Sequence, residues 1–122
     1  MAGGTDLFWL TQIISAEAKY QPLAGMIGVG NVVLNRVESK DFPDTVFDVV
    51  FDVSRVVQFE PVSTGGIYAE PDPLSCVAAR LCLEGYCTVE DSLYFVNPSK
   101  GSDWFDKALE KVTSIGQHNF YK

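Results

Sequence analysis

With 122 residues, 47% of them hydrophobic, the chain has the size and composition of one globular domain, residues 1–122, with a real core. Its formal net charge of −7 argues against nucleic-acid binding, which needs clustered Lys and Arg, and gives it no attraction to an anionic wall. No apolar run approaches the roughly 18 residues of a membrane span, and the opening Met1-Ala2-Gly3-Gly4-Thr5 shows no signal peptide.

The first predicted element is a helix over Thr5–Tyr20, capped by Thr5 or Asp6 and ending before Pro22. Leu10, Ile13 and Ile14 precede Glu17 by seven, four and three residues, so all four share one helical face. Glu17 thus stands where the stripe calls for another apolar side chain. Either it sits on the rim and reaches water, or it turns inward. A desolvated carboxyl has a raised pKa and suits general acid catalysis.

Pro22 starts a second helix, residues 22–38, that is apolar almost all round and therefore belongs in the middle of the domain. Gly25, Gly28 and Gly30 each cost it roughly 1 kcal/mol relative to alanine. Close approach by a neighbour, such as the helix carrying Glu17, would offset that cost. Near its end, Arg36 is expected to tether a carboxylate or carbonyl. After a turn at Lys40–Asp44, Thr45 caps a short helix through about Phe51. From Ser54 to Tyr68, Val56-Val57 and Ile67-Tyr68 around Gly65-Gly66 predict a hairpin, which places Glu60 on a strand edge.

Asp72 and Pro73 open a helix that Gly85 stops, with Leu74, Val77, Ala78 and Leu81 inward. Leu93–Val96 reads as a strand broken by Asn97-Pro98. Ser102 caps a last helix with Trp104, Phe105, Ala108, Leu109 and Val112 inside, and His118–Tyr121 reads as a closing strand. The order predicts an α+β domain, a helical core with a small antiparallel sheet.

Cys76, Cys82 and Cys87 match no common zinc spacing, and the single histidine, His118, is distant, so no metal or other cofactor is expected. Cys76 and Cys82 read as small apolar helix residues, and a Cys82–Cys87 disulfide stays open in an oxidising compartment. Ser15 lacks a Gly-x-Ser-x-Gly elbow, and the Gly-rich second helix lacks Gly-Lys-Ser/Thr.

The run Ile14-Ser15-Ala16-Glu17-Ala18-Lys19-Tyr20-Gln21-Pro22, continued by Gly25-Met26-Ile27-Gly28-Val29-Gly30-Asn31-Val32-Val33-Leu34-Asn35-Arg36-Val37, resembles the SleB/CwlJ family of cell-wall hydrolases, the spore cortex-lytic enzymes and their relatives. The likeness continues through Phe42-Pro43, Gln58-Phe59-Glu60, Ala78-Ala79 to Gly85, Leu93-Tyr94-Phe95-Val96-Asn97-Pro98 and Ile115-Gly116-Gln117-His118-Asn119-Phe120-Tyr121. It implies a lysozyme-like, lytic-transglycosylase-like fold with a catalytic glutamate on an early helix beside a glycan groove. The implied partner is the peptidoglycan glycan strand, cut between N-acetylmuramic acid and N-acetylglucosamine, in the cell wall or in the spore cortex or coat during germination. One glutamate, Glu17, would act as acid and base and leave a 1,6-anhydro end.

Glu60 is the candidate second carboxylate, against the plainer reading of an exposed glutamate. Gln58, Phe59, Tyr94 and Asn97 match the blocks that would line the groove, and His118 would contact substrate or orient Glu17. The rival reading is a noncatalytic wall-associated binding or structural module that keeps the groove without turnover.

Overall fold

Leu10, Ile13 and Ile14 are fully buried on one face of the first helix, as their spacing predicts. The structure, a computed structural model, describes residues 2–54 and 59–122. Helices α1 (Ala2–Ala18) and α2 (Leu23–Glu38) are followed by α3 (Val46–Val50), α4 (Glu60–Thr64) and α5 (Pro73–Leu83). Then come β1 (Tyr94–Val96), α6 (Asp103–Ala108), β2 (Lys111–Ile115) and β3 (His118–Tyr121). Two 3-10 turns, Gly66–Tyr68 and Pro98–Lys100, complete the order. The first helix begins at Ala2, so Thr5 and Asp6 stand inside it and do not cap it.

Helix α2 is central: α1 and α5 pack on it and on each other, and Met26, Val29, Val32 and Val33 are buried along it. Its glycines admit more neighbours than α1 alone. A Cβ on Gly30 would stand 2.6 Å from Cys82 Sγ on α5 and 3.0 Å from Ile14 Cδ1. One on Gly28 would stand 2.9 Å from both Phe120 Cζ and Val89 Cγ1. This close approach also corrects the predicted inner face of α5. Ser75, Ala78, Ala79 and Cys82 are buried, whereas Leu74 and Val77 are exposed. Only small side chains fit against a helix whose own face is glycine. Cys82 Sγ donates to the Ile27 carbonyl at 3.3 Å, and all three cysteines are free thiols.

The polar residues of α2 organise the chain that follows α5. Asn31 Nδ2 donates to Tyr86 O, and Asn31 Oδ1 accepts from Thr88 N. Asn35 Nδ2 donates to Glu90 O and Ser92 O, both at 2.9 Å. Arg36 Nε donates to Leu93 O at 2.8 Å, a carbonyl tether of the kind expected. Its guanidinium lies 4.7 Å from the ring centre of Phe42, 5.0 Å from Phe59 and 5.2 Å from Tyr94. These bonds deliver β1 to the sheet.

The sheet is antiparallel, in the order β1-β3-β2, with Phe95 opposite Phe120 and Ile115 opposite His118. Gly116 (φ 57°) and Gln117 form the two-residue turn between β2 and β3. Gln21, at the α1–α2 junction, holds that turn by accepting from Gln117 N at 2.8 Å and donating to Gln117 Oε1 at 2.9 Å. The last helix is shorter than predicted. It stops at Ala108, and Val112 belongs to β2. Ser102 stands at the N-cap position as predicted, but its side chain makes no capping bond and its hydroxyl donates to Asp106 Oδ2.

The predicted hairpin over 54–68 is absent among the described residues. Phe59 leads into α4, Pro61 sits in its first turn, and Gly65 (φ 84°) ends it. Proline has no N–H for a strand ladder but costs nothing at a helix start. Val56 and Val57 lie outside the described residues. Thr45 does cap α3, accepting from Asp48 N at 3.1 Å. Among the described residues no helix is long and apolar enough to cross a membrane.

Candidate active site

The buried stripe of α1 emerges at the surface at Glu17, one residue before the helix ends, and leaves that side chain half-buried. Two hollows, of about 330 Å³ and about 250 Å³, meet there and share Ala16, Glu17, Glu60 and Lys100. They form the two lobes of one groove. The first runs along α1 to α4 and the 66–70 segment, and the second is walled by Phe95, Asn97, Phe105 and His118.

Each wall is fixed from below. Gln12 Nε2 donates to Ile67 O at 2.8 Å and Ala69 O at 3.0 Å, which ties the 66–70 segment to α1. Ser15 Oγ accepts from Asp72 N at 2.9 Å. On the other side, the Pro98–Lys100 turn is held by Asn97 Oδ1, which accepts from Ser99 N and Ser99 Oγ.

Burial pushes the Glu17 carboxyl up from 4.5 to about 7. The positive charge of Lys100 opposes that shift, and the negative charge of Glu60 adds to it. Near neutral pH both forms of Glu17 are therefore populated. Burial, and then Lys100, hold His118 below its ordinary value, so its ring is neutral at pH 7. That ring packs edge-on to Phe95, with centres 5.2 Å apart.

Of the residues singled out in the sequence, Glu17, Glu60, Asn97 and His118 come together along the groove. Glu60 is exposed, but it opens α4 and does not sit on a strand edge. Phe59 and Tyr94 line neither lobe. Phe59 is buried against Phe95, and Tyr94 packs near Arg36, Phe42 and Trp104. Gln58 lies outside the described residues. Lys100, Gln12 and Ser15 were not anticipated. A lysine two positions after Asn97-Pro98, in a chain this acidic, is the signal that could have drawn attention to Lys100. Among the described residues no three His, Cys, Asp or Glu side chains gather to hold a metal.

A helical core, a small antiparallel sheet and a groove centred on one half-buried glutamate define a lysozyme-like, lytic-transglycosylase-like domain. The chain belongs to the Cell Wall Hydrolase family, whose model matches residues 20–121. It is 30% identical over 98% of its length to the spore cortex-lytic enzyme of Bacillus subtilis (strain 168), and 30% identical over 96% to that of Oceanobacillus iheyensis. It spans 39% and 41% of those two relatives, about two fifths of their length. The catalytic domain of the germination-specific lytic transglycosylase SleB from Bacillus anthracis superposes with a TM-score of 0.85 at 30% identity, over 96% of this chain and 93% of that one. The catalytic domain of the Bacillus cereus SleB protein gives 0.86 at 28% identity, over 98% and 91%.

Proposed function

We propose that this chain cleaves peptidoglycan glycan strands between N-acetylmuramic acid and N-acetylglucosamine, as a lytic transglycosylase acting on the spore cortex during germination. The observation that carries the reading is Glu17, half-buried at the meeting point of the two lobes, with its carboxyl poised near pH 7. In its protonated form Glu17 gives its proton to the glycosidic oxygen, and the bond from the muramic anomeric carbon breaks. The carboxylate left behind then takes the proton of the muramic C6 hydroxyl. The C6 oxygen closes on the anomeric carbon as a 1,6-anhydro ring, which returns Glu17 to its starting state. One group whose pKa lies near the working pH suffices for both transfers.

Glu60, which lines both lobes with Glu17, supports the positive charge that develops on the sugar. It also gives a second reading some footing, because hydrolysis uses two carboxylates. Mass analysis of soluble products from purified cortex separates the two. Transglycosylation yields muropeptides with 1,6-anhydromuramic ends, each lighter by one water than its hydrolysed counterpart. Reducing muramic ends as the main product would move the mechanism to a Glu17–Glu60 pair.

A companion measurement concerns the pH profile. Glu60→Gln removes a negative neighbour of Glu17, so the Glu17 pKa falls and the alkaline limb of the rate profile moves to lower pH. The rate should drop as well, and stability should stay within about 0.5 kcal/mol, since the side chain is exposed. An unchanged rate with an unchanged profile would remove Glu60 from the chemistry.

A further inference from the structure

Among the described residues, apart from Glu17 and Glu60, the polar side chains lining the second lobe present donors. Asn97 Oδ1 is taken up by Ser99 N at 3.0 Å and Ser99 Oγ at 2.7 Å, which orients the amide and leaves Nδ2 for the lobe. His118 Nδ1 is sealed in the protein with no partner among the described residues. An orphaned buried acceptor is tolerated better than an orphaned N–H, so the proton of the neutral ring belongs on Nε2, the nitrogen left to face the lobe. Lys100 lines both lobes, and its backbone is pinned by its N–H to Asn97 O at 2.9 Å. Among the described residues its ammonium forms no ion pair. Lys19, the other groove lysine, rests over the ring of Tyr20 at 5.2 Å.

Three donor-bearing side chains line this one lobe, one of them a full positive charge, and such a set suits a carboxylate better than a neutral carbonyl. Glu60 faces the same space and repels an acid from its own side, which steers it toward Lys100. Building on the glycan reading above, we infer that the second lobe is a carboxylate site for the acid borne on the lactyl arm of muramic acid, with Lys100 as the specificity-determining residue. That acid is either the sugar's own lactyl carboxylate, free on a strand without stems, or a carboxylate of the attached stem peptide. A muramic-δ-lactam has spent its lactyl carboxyl in the ring amide and offers no such charge.

Binding tests this without depending on turnover. Glu17→Gln protein, with and without Lys100→Gln, is titrated with three soluble glycan strands. The first carries stem peptides, the second has been stripped of them by an amidase, and the third carries stems whose carboxylates have been converted to amides. Lys100→Gln should weaken binding about tenfold on a strand bearing the recognised acid, and leave the amidated strand unaffected. Loss on the stripped strand assigns the lactyl carboxylate, and loss on the stem-bearing strand assigns the stem. Equal loss on all three strands, no loss on any, or no binding at all overturns the site. Release of soluble muropeptides by the unsubstituted protein from the same strands shows separately whether the cleavage reading survives.

Discussion

Glu17→Gln is expected to fold as the parent does and to release no measurable muropeptide from cortex. The substitution preserves shape and removes the transferable proton, and a positioned general acid contributes on the order of 10²–10⁴ in rate. Because the proposed route uses the same carboxyl for both proton transfers, the loss should lie at or beyond the upper end of that range. Activity within about tenfold of the parent, a barrier change of only about 1.4 kcal/mol, would remove Glu17 from the mechanism.

The same variant should be more stable than the parent. The folded-state pKa of Glu17 is raised from 4.5 to about 7, so above pH 4.5 the unfolded chain gives up this proton before the native one does. Native stability therefore falls as pH rises through that window and levels off above about 7. A neutral amide escapes the penalty, which reaches up to about 3 kcal/mol. Denaturation curves of the two proteins should coincide near pH 4 and separate by pH 8, with Glu17→Gln the more resistant. Coincident curves at both values would place the carboxyl in water and remove its tuned pKa.

Arg36→Ala should give the largest loss of stability among single substitutions in this part of the fold, about 3 kcal/mol. It strips the Leu93 carbonyl of its 2.8 Å donor and empties the space between the rings of Phe42, Phe59 and Tyr94. Arg36→Lys should recover little, because an ammonium supplies neither the flat stacking surface nor the Nε donor. Urea unfolding measures both. Leu93 leads into β1, which carries Phe95 to the groove, so activity should also fall, though less than in Glu17→Gln. A change below about 1 kcal/mol in Arg36→Ala would mean that the rings close over the gap unaided.

The long helices were legible because their apolar spacing is imposed by burial: Leu10, Ile13 and Ile14 could lie nowhere but inward, and they led to Glu17. Short elements were harder. Ile67, Tyr68 and the valines at 56 and 57 favoured a strand reading for a segment that holds α4, although Pro61 near its start and Gly65 just past its end are the marks of a helix. Val112 was absorbed into a helix although its β-branched side chain and the Gly116-Gln117 turn fit a hairpin. The inner face of α5 was misjudged for another reason. Ala78 was placed inward correctly, but hydrophobicity ranks Leu74 and Val77 above Ser75 and Ala79, and the glycines across the interface set a limit on size that no residue of α5 reveals. Lys100 escaped because an exposed lysine in a turn looks the same whether or not a groove runs past it.

Strand β3 lies between β1 and β2 although it follows both along the chain. On the ribosome, β1 and β2 therefore emerge with no shared partner, and Phe120 is not yet available to cover Gly28. Glu17 is made early, but the His118 wall of its groove arrives only with the central strand. In chain order the groove is therefore complete only once the central strand has been added.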